Sequence, residues 1–177
     1  MTFTEYVAYF RTAATNHKVL AYNASTNKSF YRMDIEEVLS GLRSKLNSVS
    51  MLLEHPELLA SDLLSDNKRK VWQGAYLIVK QAKKADHDDE ELVLNDTMVI
   101  AEEILSKMVN DCQKHRKNNT YTPAIGGFDA NRVRFQKVGP LFDNYYGWRV
   151  EFEFNQVFTN GLRLDASKWN NETAFTL

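Results

Sequence analysis

The sequence predicts an α+β fold: a mostly antiparallel sheet of about four strands, with a long helix and two shorter helices packed on one face. Three stretches support this prediction. Residues 146–158 alternate between apolar and polar side chains, as in a half-buried strand. Residues 70–82 are apolar on both faces, as in a central strand, and residues 88–117 have the apolar spacing of a helix. Because the predicted strands mostly follow one another along the chain, we expect them to pair as antiparallel neighbours.

Residues 146–158 have the clearest strand pattern in the chain. Side chains alternate between the two faces of a strand, so every second residue shares a face. One face is apolar and is predicted to be buried against the long helix: Trp148, Val150, Phe152, Phe154 and Phe158. The opposite face is polar and is predicted to be exposed or to form an interface: Arg149, Glu151, Glu153 and Asn155.

Two helices are predicted near the N-terminus. Residues 2–15 begin with Thr2 and Glu5 at the spacing of a capping box and continue with an apolar stripe. Residues 34–47 carry a second apolar stripe and are predicted to be the second short helix. The stretch between them, residues 17–33, is rich in Asn, Ser and Thr, and we expect a loop or short extended pieces.

Two strands are predicted before the long helix. Residues 49–53 have apolar side chains at alternate positions, which indicates a strand. Residues 70–82 are apolar on both faces, so this strand is predicted to be central in the sheet. Between the two, Pro56 interrupts any continuous element, and a short helical turn is predicted after it.

The long helix and a hairpin complete the predicted domain. Residues 88–117 have acidic residues at the N-terminal end and basic residues at the C-terminal end, which the helix dipole favours. Residues 132–142 and 146–158 are predicted to form an antiparallel hairpin, with Gly139-Pro140 breaking or bending the first strand. The apolar seam of the helix is predicted to comprise Leu94, Met98, Ala101, Leu105, Met108 and Cys112.

Composition and charge limit the classes of function. The chain has 177 residues, 44% hydrophobic and 12% aromatic, which predicts one packed domain at residues 1–160 and a C-terminal tail at 161–177. With 22 basic and 23 acidic residues the net charge is −1, which argues against a general nucleic-acid binder. The single cysteine, Cys112, predicts a reducing compartment. We expect neither a signal peptide nor a membrane span.

The sequence contains no recognisable catalytic or metal-binding motif. The four histidines lack zinc-type spacing, and the acidic run at residues 86–91 lacks the pattern of a calcium loop. Gly126-Gly127 is not followed by the Lys-Ser/Thr of a phosphate-binding loop. We therefore predict no cofactor, no metal and no enzymatic activity, with an enzyme built from scattered residues as an alternative.

Charged residues on the predicted strands are the candidate interaction surface. An ordinary mixed-charge surface is the simpler interpretation, but seven residues could form one strip that contacts nucleic acid or an acidic protein: Lys68, Arg69, Lys70, Trp72, Arg132, Arg134 and Lys137. The acidic run at 86–91 and the basic clusters at 68–70 or 114–117 are candidate complementary surfaces between copies. The predicted interaction residues are Lys68, Arg69, Lys70, Arg132, Arg134, Arg149, Glu151 and Glu153.

The stretch Tyr146-Gly-Trp-Arg-Val-Glu-Phe-Glu-Phe-Asn-Gln is similar to strands in virion proteins of bacteriophages that infect Bacteroidetes. With its small size, long strands and C-terminal tail, the chain resembles the neck and tail-completion proteins of tailed bacteriophages and prophages, the tail terminator and head–tail joining group. The resemblance implies a non-enzymatic virion protein that forms a homo-oligomeric ring and contacts other virion proteins. It also implies a location in the cytoplasm of a bacterial host or in the virion. A nucleic-acid-binding accessory protein is the alternative.

Overall fold

The computed structural model describes residues 1–32, 49–61, 69–118, 127–141, 144–157 and 166–168. The helices are α1 (Phe3–Asn16), α2 (His87–Asn118) and a short 3-10 helix (Ala166–Lys168). The strands are β1 (Phe30–Arg32), β2 (Val49–Leu53), β3 (Glu57–Ser61), β4 (Arg69–Gln81), β5 (Phe128–Leu141) and β6 (Tyr145–Val157). The predicted helix at 34–47 and most of the predicted tail at 161–177 lie outside the described residues.

The fold is α+β, as predicted, but in the part of the chain that the structure describes the sheet is mixed and has six strands rather than about four. Strands β1, β2, β4, β6 and β5 lie side by side in that order, and β3 pairs with β4. The prediction that residues 70–82 form a central strand is confirmed, because β4 has β6 on one side and β2 and β3 on the other. The exception to antiparallel pairing is β1, which runs parallel to β2.

The segment after Pro56 is strand β3, so the prediction of a helical turn there is wrong. Strand β3 pairs antiparallel with the first half of β4, and this pairing satisfies backbone groups that a single helical turn would leave without partners. Leu53 pairs with Tyr76, and Glu57 pairs with Gln73. From the first pair to the second, the chain advances four residues from β2 to β3 but only three residues along β4. One extra residue therefore forms a β-bulge around Pro56.

Helices α1 and α2 pack against the same face of the sheet, and the main hydrophobic core lies between that face and the two helices. The predicted burial is confirmed for Val150, Phe152 and Phe154, and the two phenylalanines are each 1% exposed, while Phe158 lies outside the described residues. Trp148 is half-buried, and its Nε1 donates a hydrogen bond to the carbonyl oxygen of Leu94 in α2 at 2.9 Å. The core residues of α1, β4, β6 and α2 include Tyr6, Phe10, Trp72, Tyr76, Ile78, Val150, Phe152, Phe154, Ile104 and Met108.

Helix α2 covers the core with a wider stripe than the predicted seam. Three predicted seam residues are buried: Ala101, Met108 and Cys112. The other three are only half-buried: Leu94, Met98 and Leu105. The neighbouring row of the helix is buried more completely, namely Val93, Thr97, Ile100 and Ile104. The predicted seam was therefore too narrow, because the helix contacts the broad sheet with two adjacent rows.

Strands β5 and β6 form the predicted antiparallel hairpin. Strand β5 is longer than predicted, since it begins at Phe128 and continues through Gly139 and Pro140 to Leu141. Of the two predicted alternatives at Gly139-Pro140, a break is excluded because the strand continues, and the register is irregular between Val138 and Leu141. Asn144, which precedes β6, adopts a left-handed backbone conformation with φ of 64°. Asparagine tolerates this conformation better than most residues, so the turn suits the residue that occupies it.

The face of the sheet opposite the described helices has two different ends. At one end, a smaller apolar cluster contains Leu52, Leu77, Val79 and Tyr145. At the other end the face is polar, and Arg149, Glu151 and Glu153 project from β6 as the alternation predicted. The polar end is open to solvent, and the candidate functional site lies there.

Buried tyrosines predict that the protein unfolds in alkali. Burial raises the pKa of the Tyr6 and Tyr76 phenols well above the ordinary value of 10.0, and nearby Glu54 adds to the effect at Tyr6. The unfolded chain therefore releases these protons near pH 10, whereas the folded chain retains them. Stability is fully present below about pH 10 and falls as the pH rises, by about 1.4 kcal/mol per pH unit for each such tyrosine.

The measurement is a parallel titration of tyrosinate absorbance and far-ultraviolet circular dichroism. We expect part of the tyrosinate signal to appear together with the loss of secondary structure. A tyrosinate titration that is complete while the circular dichroism is unchanged would contradict the burial of Tyr6 and Tyr76.

Candidate functional site

A groove of about 510 Å³ occupies the polar end of the sheet. Strands β4 and β6 form its floor, where Gln73 lies opposite Glu153 and Ala75 lies opposite Glu151. The segment between β2 and β3 forms one wall, and the first half of β5 forms the other. We call this site the polar groove, and its polar lining residues are Glu54, His55, Glu57, Gln73, Asn131, Arg132, Arg134, Arg149, Glu151 and Glu153.

A bulge in β5 builds one wall of the polar groove. Between the pairs Asp129–Glu153 and Arg134–Glu151, the register advances five residues along β5 and two along β6. Three extra residues of β5 must therefore leave the plane of the ladder, and Arg132 lies among them. Such bulges redirect side chains, which explains how residues of an edge strand come to line a groove.

The bulge around Pro56 builds the opposite wall. Without it, side-chain alternation would place Glu54 and Glu57 on opposite faces of the sheet. The extra residue reverses the alternation, so both glutamates line the polar groove. The two bulges thus stand on either side of a regular two-stranded floor.

Arg149 links the floor of the polar groove to one wall. Its Nε and Nη2 donate hydrogen bonds to the two carboxylate oxygens of Glu54, each at 2.7 Å. Its Nη1 donates to a carboxylate oxygen of Glu151 and, at 3.2 Å, to the side-chain oxygen of Gln136. Hydrogen bonds to Glu54, followed by those to Glu151, raise the pKa of Arg149 despite partial burial. A paired, always-charged guanidinium of this kind fixes geometry well.

Gln73 and Glu153 on the floor of the polar groove bind each other, whereas two arginines on the β5 wall form no ion pair among the described residues. Gln73 Nε2 donates a hydrogen bond to Glu153 Oε1 at 2.9 Å. Arg132 and Arg134 are exposed, and neither forms an ion pair with another residue in the described part of the chain. Glu54 and Glu151 are already bound to Arg149, so these two arginines are the groove cations available to an incoming carboxylate.

The structure brings five of the eight predicted interaction residues together in the polar groove: Arg132, Arg134, Arg149, Glu151 and Glu153. Arg69 is exposed at the start of β4 and does not line the groove. Lys70 lies on the helical face of the sheet, with its Nζ 4.8 Å from the centre of the Trp72 ring. Lys68 lies outside the described residues.

The predicted basic and aromatic strip is divided between the two faces of the sheet. Trp72 is 2% exposed in the core beneath α1, so its ring is not available to stack on a nucleic-acid base. Lys137 also faces the helices, and its Nζ is 3.0 Å from a carboxylate oxygen of Glu90 in α2. Arg132 and Arg134 remain on the other side, in the polar groove.

Sequence reasoning did not single out Glu54, Gln73 or Gln136. Each is a polar residue within or beside a strand, where alternation alone indicates a solvent-exposed position. Their convergence depends on which strands are neighbours and on the two bulges. The one available signal was Pro56, since proline within a strand region often marks a bulge or an edge.

A second surface lies on the outer side of α2, away from the sheet. Its residues recur at spacings of four and three, and we call it the α2 outer stripe: Asp88, Leu92, Asn95, Val99, Glu102 and Ser106. Leu92 is 62% exposed and Val99 is 54% exposed. The exposed Glu91 flanks the stripe. The surface therefore combines two apolar side chains with carboxylates, and it is acidic.

No group of three or more His, Cys, Asp and Glu side chains in the described part of the chain is arranged to hold a metal ion. None of the helices described is both long and apolar enough to cross a membrane.

Comparisons with known protein-family models, curated proteins and solved structures find no match to this chain. The functional assignment therefore rests on the polar groove and the α2 outer stripe.

Proposed function

We propose that this protein is a non-enzymatic assembly subunit that acts through protein–protein contacts, with the polar groove of one copy receiving the α2 outer stripe of the next. The observation that supports this proposal is the placement of the two surfaces. The polar groove lies on one side of the sheet, and the stripe lies on the outer side of the helical layer. Two different surfaces on opposite sides of a subunit suit head-to-tail assembly.

Two arginines of the polar groove and two carboxylates of the stripe carry opposite charges, within a groove lining that contains four glutamates and three arginines. Asp88 and Glu102 belong to the stripe, and Arg132 and Arg134 are the available cations of the groove. Leu92 and Val99 lie between the two acids and would lose their exposure to water in the contact. Opposite charges around a small apolar centre are typical of specific interfaces, where they set orientation and suppress wrong partners.

The dimensions of the polar groove suit a helix. Its walls belong to strands that flank the two floor strands, so they are three strand spacings apart, roughly 14 Å. A helix with its side chains is about 10–12 Å across. A helix could therefore lie between the walls and contact the floor.

Head-to-tail contacts produce a ring if the rotation between copies closes and a filament if it does not. A ring of small α+β subunits is the assembly that the resemblance to phage neck and tail-completion proteins implies. We accordingly propose the tail terminator or head–tail joining group as the class, with other virion proteins as further partners and the bacterial cytoplasm or the virion as the location.

A charge exchange tests the groove-to-stripe contact. The wild-type chain is expected to form species larger than a dimer, because a head-to-tail contact propagates beyond two copies. Arg134→Glu and Glu102→Arg should each raise the dissociation constant of these species by about tenfold or more, since like charges then face each other. The double variant should assemble again, because the pair is restored with reversed signs. Light scattering after size exclusion measures the sizes.

The matched control is Lys18→Glu, which reverses an exposed charge outside both surfaces. It should assemble as the wild type does. Wild-type protein that never exceeds a dimer, at low or moderate salt, would refute the contact. A double variant that remains as small as the single variants would refute it equally.

A further inference from the structure

Strand β3 is an exposed apolar edge of the sheet. It pairs with β4 on one side, and within the described residues no strand pairs with its other side. Leu58 is 49% exposed and Leu59 is 48% exposed, one on each face of the sheet. Exposed edges with apolar side chains on both faces readily accept another strand, because their backbone donors and acceptors are available.

The long edge strand β5 is protected, and this contrast is informative. Charged side chains, bulges and proline are the features that keep edge strands from pairing. Strand β5 has all three: it carries Arg132, Arg134 and Lys137, two irregularities of register, and Pro140. Strand β3 has a single charged residue, Glu57 at its first position, and Pro56 lies just outside it.

We propose that β3 pairs antiparallel with β3 of a second copy, so that the two sheets become one across a twofold axis at Leu59. In this register each residue faces the one equally distant from Leu59 in the partner copy. Leu59 then faces its own counterpart, and Leu58 faces Ala60. Glu57 faces Ser61, so the strand's only charge does not meet itself.

The charges of β4 favour the same register. Arg69 is the β4 neighbour of Ser61. Across the proposed axis, Ser61 faces Glu57 of the second copy, so Arg69 and that glutamate lie in one row. Two strand spacings separate their backbones, roughly 9.5 Å, which two long side chains can span. The symmetry makes this favourable pair occur twice.

The same row arrangement joins the apolar residues. Val71 of β4 pairs with Leu59. The twofold axis places Leu59 of the second copy next in this row, followed by Val71 of the second copy. Four apolar side chains thus form one continuous row on the groove face. On the helical face, Leu58 lies between Trp72 and Ala60 of the second copy.

The β3 contact is separate from the groove-to-stripe contact, because it is self-complementary and ends at two copies. The experiment therefore uses Arg134→Glu, in which the groove contact is weakened, at concentrations below those at which that contact forms. This variant is expected to remain a dimer. Adding Leu59→Lys should give a monomer and raise the dimer dissociation constant about a hundredfold or more, since two ammonium groups then meet on the axis. Adding Leu59→Val should leave the dimer intact.

Amide hydrogen exchange gives an independent measurement. The β3 amides should be protected in the dimer at high concentration and should exchange faster in the Leu59→Lys chain, whose melting temperature at low concentration checks that it folds. An Arg134→Glu chain that is monomeric at all concentrations overturns the β3 proposal, even where the wild type forms larger species. A wild type that stops at a dimer, and loses it on Leu59→Lys, supports β3 pairing and overturns the groove contact instead.

Discussion

We expect Phe152→Ala to lower the free energy of unfolding by about 3–5 kcal/mol, a large part of the stability of a typical domain. Phe152 is 1% exposed, and its ring centre lies 5.2 Å from those of Phe10 and Phe154. It also lies 5.9 Å from Tyr76 and 6.4 Å from Tyr6. The substitution therefore leaves a cavity where α1, β4 and β6 meet.

The residue opposite Phe152 on β4 has no side chain that could fill that cavity. Gly74 stands opposite Phe152 on β4, and a side chain at this glycine would strike the Phe152 ring. The ring thus occupies space that the neighbouring strand leaves open. Urea unfolding followed by tryptophan fluorescence measures the loss, with Lys84→Ala as an exposed control that should change stability by less than about 0.5 kcal/mol. Equal midpoints for Phe152→Ala and wild type would mean that β6 is not in the core.

Arg149→Met is expected to lower the free energy of unfolding by about 2–3 kcal/mol. The guanidinium binds Glu54 through two hydrogen bonds and also binds Glu151. Removing it leaves two carboxylates close together and without their cation. A fully buried pair broken in this way costs about 3–5 kcal/mol, and the side chains here are 26% and 33% exposed, which moderates the cost.

Two further variants separate charge from geometry at this position. Arg149→Lys keeps the charge but cannot reproduce the two parallel hydrogen bonds to Glu54, so we expect an intermediate loss. Glu54→Gln in the Arg149→Met chain should recover part of the stability, because it removes one of the two facing charges. Urea unfolding of the wild type, Arg149→Met, Glu54→Gln and the chain with both substitutions provides a double-mutant cycle for the pair. Additive effects of the two substitutions would show that the pair is not coupled.

The sequence predicted the features that depend on local periodicity. The alternation in residues 146–158 correctly divided Phe152 and Phe154 from Arg149 and Glu151, because a strand has a fixed period of two. Apolar residues on both faces identified β4 as central, and apolar residues at helical spacing identified α2 as the long helix. In each case the pattern extends over many residues, so one irregular position does not obscure it.

Features that depend on neighbours in space were not accessible in this way. Adjacent Leu58 and Leu59 follow no alternation, because β3 is an edge strand that is exposed on both faces. The partner of Arg149 is Glu54, which is 95 residues away in the chain and faces the groove only because of how the strands pair. The β5 bulge likewise cannot be read from local alternation, since its extra residues are defined relative to β6.

The two-sided sheet has a consequence for any larger assembly. Helices cover one face of each subunit and the polar groove opens on the other, so under the proposed contact an open head-to-tail series has two chemically different ends, whereas a closed ring has none. One end presents an empty groove with two available arginines, and the other presents an acidic helix with exposed Leu92 and Val99. Each end can therefore recruit a different neighbour.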